Sequence, residues 1–201
     1  IRGDAASGGV AVSGSLRPFF TYYGGKFRSA PRYPTPAFST VIEPFAGSAG
    51  YSLRYPDRDV LLLDKNPIVA NLWRYLISVS ESEIRSLPTQ VAHVDDVRGP
   101  IEARHLIGFW LNKGSTGPRK TPSTWARGGT RPHSYWGETI RERVASQLQY
   151  IRHWRCSDGC YTSAPDIRAT WFIDPPYQSG GALYPVGSTS IDFERLGEWC
   201  R

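Results

Sequence analysis

Three apolar runs in this chain end on an acid, and each predicts a strand that delivers a carboxylate to the edge of a sheet. The first is Ser39-Thr40-Val41-Ile42-Glu43, which opens into Pro44-Phe45-Ala46-Gly47-Ser48-Ala49-Gly50. β-Branched residues favour the pleated state and small residues allow a sharp turn, so the segment reads as strand, tight loop and helix. The second is Val60-Leu61-Leu62-Leu63-Asp64, a continuous apolar run of the kind buried on both faces of a parallel sheet. Asn66 then caps a helix with Pro67 at its first position, and Ile68, Leu72, Tyr75 or Leu76, and Val79 supply its apolar stripe. The third is Thr170-Trp171-Phe172-Ile173-Asp174, which stops on Pro175-Pro176-Tyr177. Two consecutive prolines remove two backbone donors, so neither a helix nor an inner strand continues past Asp174.

Weaker patterns fill the rest. A helix begins near Pro100 and includes Leu106, Phe109 and Trp110, and another carries Ile140, Val144, Leu148, Ile151 and Trp154 on one stripe. Such stripes read as core rather than site. A third strand is expected around Arg155 to Tyr161, and a last helix capped by Asp192 would turn Phe193, Leu196 and Trp199 inward. Strands alternating with helices predict an α/β fold with a doubly wound sheet. Residues 1–15, rich in Gly, Ala and Ser, read as a flexible tail. Residues 16–79 and 155–201 read as the main catalytic domain, and residues 80–154 as a small helical insertion.

The chemistry concentrates at Asp174-Pro175-Pro176-Tyr177. An extended path there leaves the Asp174 carboxylate and the Pro175 carbonyl as acceptors with no local donors, beside an aromatic ring. That suits a planar amino group. The lone pair of an exocyclic amine is delocalised into its ring, and acceptors that hold its two hydrogens favour a more tetrahedral, nucleophilic nitrogen. Tyr177 would stack on a base flipped out of its duplex. The same four residues would also serve as a strand terminator with an aromatic staple. Upstream, the small residues after Glu43 let a cofactor approach the backbone at a helix N-terminus, although the GxGxxG spacing is absent. Asp64 follows at about the twenty-residue distance where such folds place a carboxylate on ribose hydroxyls, or it belongs to the turn that starts the next helix.

Charge adds a partner. The net charge is +6 and the pI near 9.4, which fits a polyanion. From Asn112 through Gly137 there is no acid, while Lys113, Arg119, Lys120, Arg127 and Arg131 are interleaved with Trp125, Tyr135 and Trp136. This reads as a DNA-contacting loop whose cations neutralise phosphates and whose aromatics stack near an extruded base. The plainer reading is a solvated basic loop whose aromatics pack down. Cys156, Cys160 and Cys200 show no paired ligand spacing and read as reduced thiols in a cytoplasmic setting rather than a metal site. No stretch approaches the length of a membrane span, and no signal peptide is visible.

In order and spacing, Tyr22-Tyr23-Gly24-Gly25-Lys26, Glu43-Pro44-Phe45-Ala46-Gly47, Asp64, the basic region and Asp174-Pro175-Pro176-Tyr177 resemble the DNA adenine-N6 methyltransferase family, from about Phe19 to the end of the chain. The resemblance implies a Rossmann-like, S-adenosylmethionine-dependent methyltransferase sheet with a helical target-recognition insertion, acting on adenine N6 in double-stranded DNA. It implies Tyr22 and Lys26 as S-adenosylmethionine contacts, Glu43, Pro44, Phe45, Ala46 and Gly47 around the methionine end, and Asp64 on the ribose. Asp174, Pro175, Pro176 and Tyr177 would hold the target adenine. One departure stands out: the family's Gly-Asp-aromatic segment against the cofactor adenine is Gly159-Cys160-Tyr161 here, with Asp158 two residues early. Tyr161 is the expected contact and Asp158 the alternative. Family members continue with further strands, so the chain reads as a C-terminally truncated member with an incomplete sheet. A methyltransferase acting on cytosine N4, RNA or a protein amide nitrogen stays open, as does a non-catalytic DNA-binding fragment. A cognate restriction nuclease is an open partner. Target sequence and oligomeric state are not legible.

Overall fold

The computed structural model describes residues 14–127, 134–178, 184–185 and 191–201; most of the tail and the loop cation Arg131 lie outside them. Four strands form one parallel sheet: β1 (Thr40–Glu43), β2 (Asp59–Asp64), β3 (Arg155–Asp158) and β4 (Thr170–Trp171), in the order β3-β2-β1-β4. From β1 the chain moves outward through β2 to β3, then returns to place β4 on the other side of β1. The order therefore reverses between β1 and β4, and in open α/β sheets a crevice forms at the carboxyl ends beside such a reversal. Glu43 ends β1 there, and Asp174 follows β4. The regular ladder of β4 is shorter than the apolar run that precedes Asp174, with one further bond from the Phe172 N–H to the Ile42 carbonyl (2.9 Å) before the prolines end pairing.

Six helices are described: α1 (Pro67–Ser78), α2 (Glu81–Ser86), α3 (Ile101–Leu111), the single turn α4 (Thr124–Arg127), α5 (Glu138–Gln147) and α6 (Phe193–Trp199). The Asn66 side chain accepts from the Ile68 N–H and so caps α1. The buried face of α1 is Val69, Ala70, Leu72, Trp73 and Leu76, so the helix is rotated from the expected stripe and leaves Ile68 and Tyr75 half-buried. Trp73 pulls the face round, because it is the largest apolar surface the helix can bury. Asp192 caps α6 through the Arg195 N–H, and Leu196 is its buried residue.

One core joins Val41, Val60 and Leu62 of the sheet to Trp73 and Leu76 of α1 and to Ile84, Leu106, Phe109, Ile140, Val144 and Ile151 of the segment 80–154. The helices of that segment thus share the core of the sheet. On the opposite sheet face, Ile42, Leu61, Leu63 and Ala169 form a smaller cluster with Trp171 against it, and the Trp199 ring of α6 meets Trp171 at 5.2 Å. Burial on both faces accounts for the unbroken apolar run in β2. Among the described residues no helix is long and apolar enough to cross a membrane.

Candidate active site

A cavity opens at the carboxyl ends of the strands. Glu43, Asp64 and Asp174, the three acids that terminate the apolar runs, all face it, together with the segment from Tyr22 to Lys26. The turn after β1 is built around Gly47, whose positive φ of 47° favours glycine and whose N–H donates to Asp64 Oδ2 at 2.9 Å. Gly50 allows a second close approach. A Cβ at that position would stand 2.5 Å from the Phe27 nitrogen, so only glycine lets the Lys26–Phe27 backbone lie against the turn. In this way two motifs distant in sequence share one wall.

Asp64 belongs to the turn that starts α1 and also faces the cavity. Oδ1 accepts from the Asn66 N–H at 2.8 Å and so fixes the start of α1, while the carboxylate lines the cavity. Burial pushes its pKa up to about 6, with the Asn66 and Gly47 N–H groups working against that rise. Glu43 is only 2 % exposed and accepts from the Ser52 N–H at 2.7 Å; burial pushes its pKa up to about 7. Because the folded pKa lies above the unfolded one, the fold holds the extra proton, and stability falls as pH rises from about 5 to 8. Glu43→Gln keeps an acceptor for Ser52 and removes the charge. The variant is expected to melt about 4–8 °C higher at pH 8, corresponding to about 2 kcal/mol, and within about 1–2 °C of the parent at pH 5. Parallel melting curves across that pH range would show that Glu43 ionises without penalty.

At the other end of the wall, Lys26 Nζ donates to Asp174 Oδ2 at 2.7 Å, to the Gly24 carbonyl at 2.9 Å and to the Tyr177 hydroxyl at 3.2 Å. Burial opposes the Lys26 charge, but Asp174 and Tyr177 more than offset it and hold the pKa above that of free lysine. Burial raises the Asp174 pKa, and Lys26 reverses part of that rise. Pro176 lines the cavity beside Asp174; Pro175, half-buried, and Tyr177, 45 % exposed and standing against Lys26 and Gly24, adjoin Pro176 in sequence without lining the cavity. Tyr22 also lines the wall; burial and the nearby Asp64 charge raise the pKa of its phenol.

Pro44, Phe45 and Ala46 complete the turn, and the Phe45 ring lies 5.7 Å from that of Tyr161 at a tilt of 32°. Tyr161 and Cys160 line the cavity. Asp158 does not, because its carboxylate is taken by Arg74 of α1 at 2.8 Å. Several lining residues went unread in the sequence as site residues, Lys65 and Ile191 among them, and two have partners that matter. Asn66 faces the cavity as well as capping α1, and Tyr184 sets its ring 6.1 Å from Tyr22 and 5.7 Å from Tyr23. Tyr184 lies in a stretch with no apolar period and no motif, so only its aromatic character could have marked it.

The basic loop adjoins this wall: the Tyr23 N–H donates to the Ser115 carbonyl at 3.1 Å. Lys113, Arg119, Lys120 and Arg127 are exposed, and Trp125 is 73 % exposed. Lys113 lies 5.7 Å from the Tyr135 ring centroid, and Lys120 pairs at 3.0 Å with Asp95, an acid from outside the loop. The expectation for Trp136 is corrected. It is 8 % exposed, belongs to the main core and donates Nε1–H to the Pro88 carbonyl at 2.7 Å, so it cannot stack on a base. No family model matches the chain, and no curated protein matches it either.

Proposed function

We propose that this chain is a DNA adenine-N6 methyltransferase that uses S-adenosylmethionine. The observation that carries the reading is the shared cavity: the Asp174 acceptor site and the glycine turn anchored on Asp64 face one space. The donor set fits the cofactor. The buried carboxyl of Glu43 and the half-buried one of Asp64 suit an ammonium and a pair of hydroxyls, and the Phe45–Tyr161 pair suits a purine face. On this reading Glu43 holds the amino group of the methionine end, Asp64 accepts from the ribose and Tyr161 flanks the adenine; Phe45, expected at the methionine end, is reassigned to the adenine because its ring lies beside that of Tyr161. When bound, the cofactor supplies an activated methyl group.

The chain's own residues then prepare the nucleophile. Among the described residues Asp174 Oδ1 has no partner, so it can accept one hydrogen of the target amine while the Pro175 carbonyl accepts the other. Lys26 holds Asp174 ionised and oriented through Oδ2. Tyr177 offers its ring to the flipped base, recovering roughly 1–3 kcal/mol of the cost of unstacking it. The exposed loop cations neutralise phosphates. Arg119→Ala with Lys120→Ala is expected to weaken duplex binding about tenfold and to make its salt dependence shallower by about one to two charges. Arg119 carries the larger part, since Lys120 already has Asp95. An unchanged salt slope would move the DNA contact off this loop.

The deciding experiment measures labelled methyl transfer from S-adenosylmethionine to methylation-free DNA and identifies the modified nucleoside after digestion. N6-methyladenine supports the proposal. N4-methylcytosine, or product only on RNA or protein, replaces the substrate, and absence of both S-adenosylmethionine binding and product overturns the reading.

A further inference from the structure

Two guanidinium groups share one ring beside the cavity segment and a third packs close to the first, with no carboxylate paired to them among the described residues. Arg17 and Arg54 lie 5.7 Å and 5.6 Å from the centroid of the Phe27 ring, and Arg143 lies 5.1 Å from that of Trp110. The fold enforces this meeting. The Gln147 side chain of α5 grips the Arg17 backbone on both sides, accepting its N–H at 2.6 Å and donating to its carbonyl at 3.1 Å. One turn earlier on α5, Arg143 donates to the Pro18 carbonyl at 3.3 Å, close enough to Arg17 for the two charges to repel. Among the described residues Arg17, Arg54 and Arg143 have no ion pair, a property they share with other arginines such as Arg119; what sets them apart is their placement against the Phe27 and Trp110 rings and the packing of Arg143 against the Arg17–Pro18 backbone. Like charges pinned together without a counter-charge destabilise the fold unless an anion joins them.

The cluster's position indicates which anion. Phe27 follows Lys26 directly, and Trp110 donates Nε1–H to the Phe19 carbonyl at 2.8 Å, two residues before the basic loop opens at Asn112. The three arginines therefore adjoin both the cavity segment and the base of the loop. Guanidinium forks match phosphate oxygens, and aromatic rings beneath them hold their planes in place. We propose that Arg17, Arg54 and Arg143 form a second phosphate-contacting surface, gripping the nucleic-acid backbone away from the flipped base. This rests on the DNA reading above.

The test is Arg17→Gln with Arg54→Gln, leaving Arg143 in its packed place. Binding of a labelled duplex of about 20 base pairs is followed by fluorescence anisotropy between about 50 and 300 mM salt, with S-adenosylhomocysteine present. The expected result is a slope of log affinity against log salt shallower by about two, and affinity at least about tenfold lower near 100 mM, with S-adenosylhomocysteine binding unchanged and a melting temperature equal to or above that of the parent, since like-charge repulsion is relieved. The matching Arg17→Lys with Arg54→Lys pair keeps the charges and should keep most of the slope. An unchanged slope in the glutamine pair, or equal loss in the lysine pair, overturns the proposal while DNA binding by the parent leaves the methyltransferase reading intact. No duplex binding by the parent protein overturns this surface and the choice of DNA as substrate together.

Discussion

Asp174→Ala is expected to lower single-turnover methyl transfer by at least about a thousandfold while duplex binding stays within about twofold. The magnitude follows from removing a charged acceptor that acts on the reacting nitrogen; losing one preorganised hydrogen-bonding group at a developing charge typically costs a factor of about 100–1,000. Here a second loss compounds it. Lys26 would keep only the Gly24 carbonyl and the Tyr177 hydroxyl, so an ammonium would remain in the acceptor site without its counter-charge. The same orphaned charge predicts a modest fall in stability, about 1–2 kcal/mol, since both partners are partly exposed. Asp174→Asn separates the two effects: it keeps one oxygen for the amine but no charge for Lys26, and it should retain more turnover than the alanine variant. Binding of the duplex depends on cations elsewhere on the surface and should not follow either change. Retained turnover in Asp174→Ala would remove this carboxylate from the reaction.

The parts of this molecule that were legible in the sequence are those dictated by local pattern. β1 and β2 ended on Glu43 and Asp64 as their apolar runs required, and Asn66 with Pro67 marked the start of α1. β3 gave little signal because Arg155-Cys156-Ser157-Asp158 lies at the sheet edge, largely exposed, where no apolar run is needed. The rotation of α1 was hidden because the stripe counted medium-sized residues and passed over the tryptophan that dominates the buried area. Contacts across the chain left no local trace at all. Lys26 and Asp174 are 148 positions apart, and Gln147 reaches Arg17 across 130. Trp136 misled for a related reason: an acid-free, glycine- and proline-rich context suggested solvent, while the helices that bury it come from both sides of that context. Motif order pointed to a common cavity; only three-dimensional packing showed which side chains face it, and that Asp158 does not.

Asp64→Ala should sever cofactor binding from folding more sharply than any other change. The carboxylate accepts from two N–H groups, Gly47 and Asn66, and each left unsatisfied costs about 1–3 kcal/mol. Against this, the variant no longer has to hold a buried carboxylate whose pKa is pushed up to about 6. Above that pH the parent carries the penalty of a desolvated charge, and below it does not; the variant's loss of stability should therefore be smaller at pH 8 than at pH 5. Ligand binding has no such offset. A ribose that donates to Asp64 loses a charged acceptor at pH 8, and such a bond contributes about 1.5–3 kcal/mol, so S-adenosylhomocysteine should bind about a hundredfold more weakly by calorimetry at pH 8, and by less at pH 5, where the carboxyl is mostly protonated. A lower melting temperature with undiminished binding would confine Asp64 to starting α1 and would place the ribose elsewhere in the cavity. Weakened binding in a variant that still folds would join the glycine turn to the cofactor through a group that also shapes that turn.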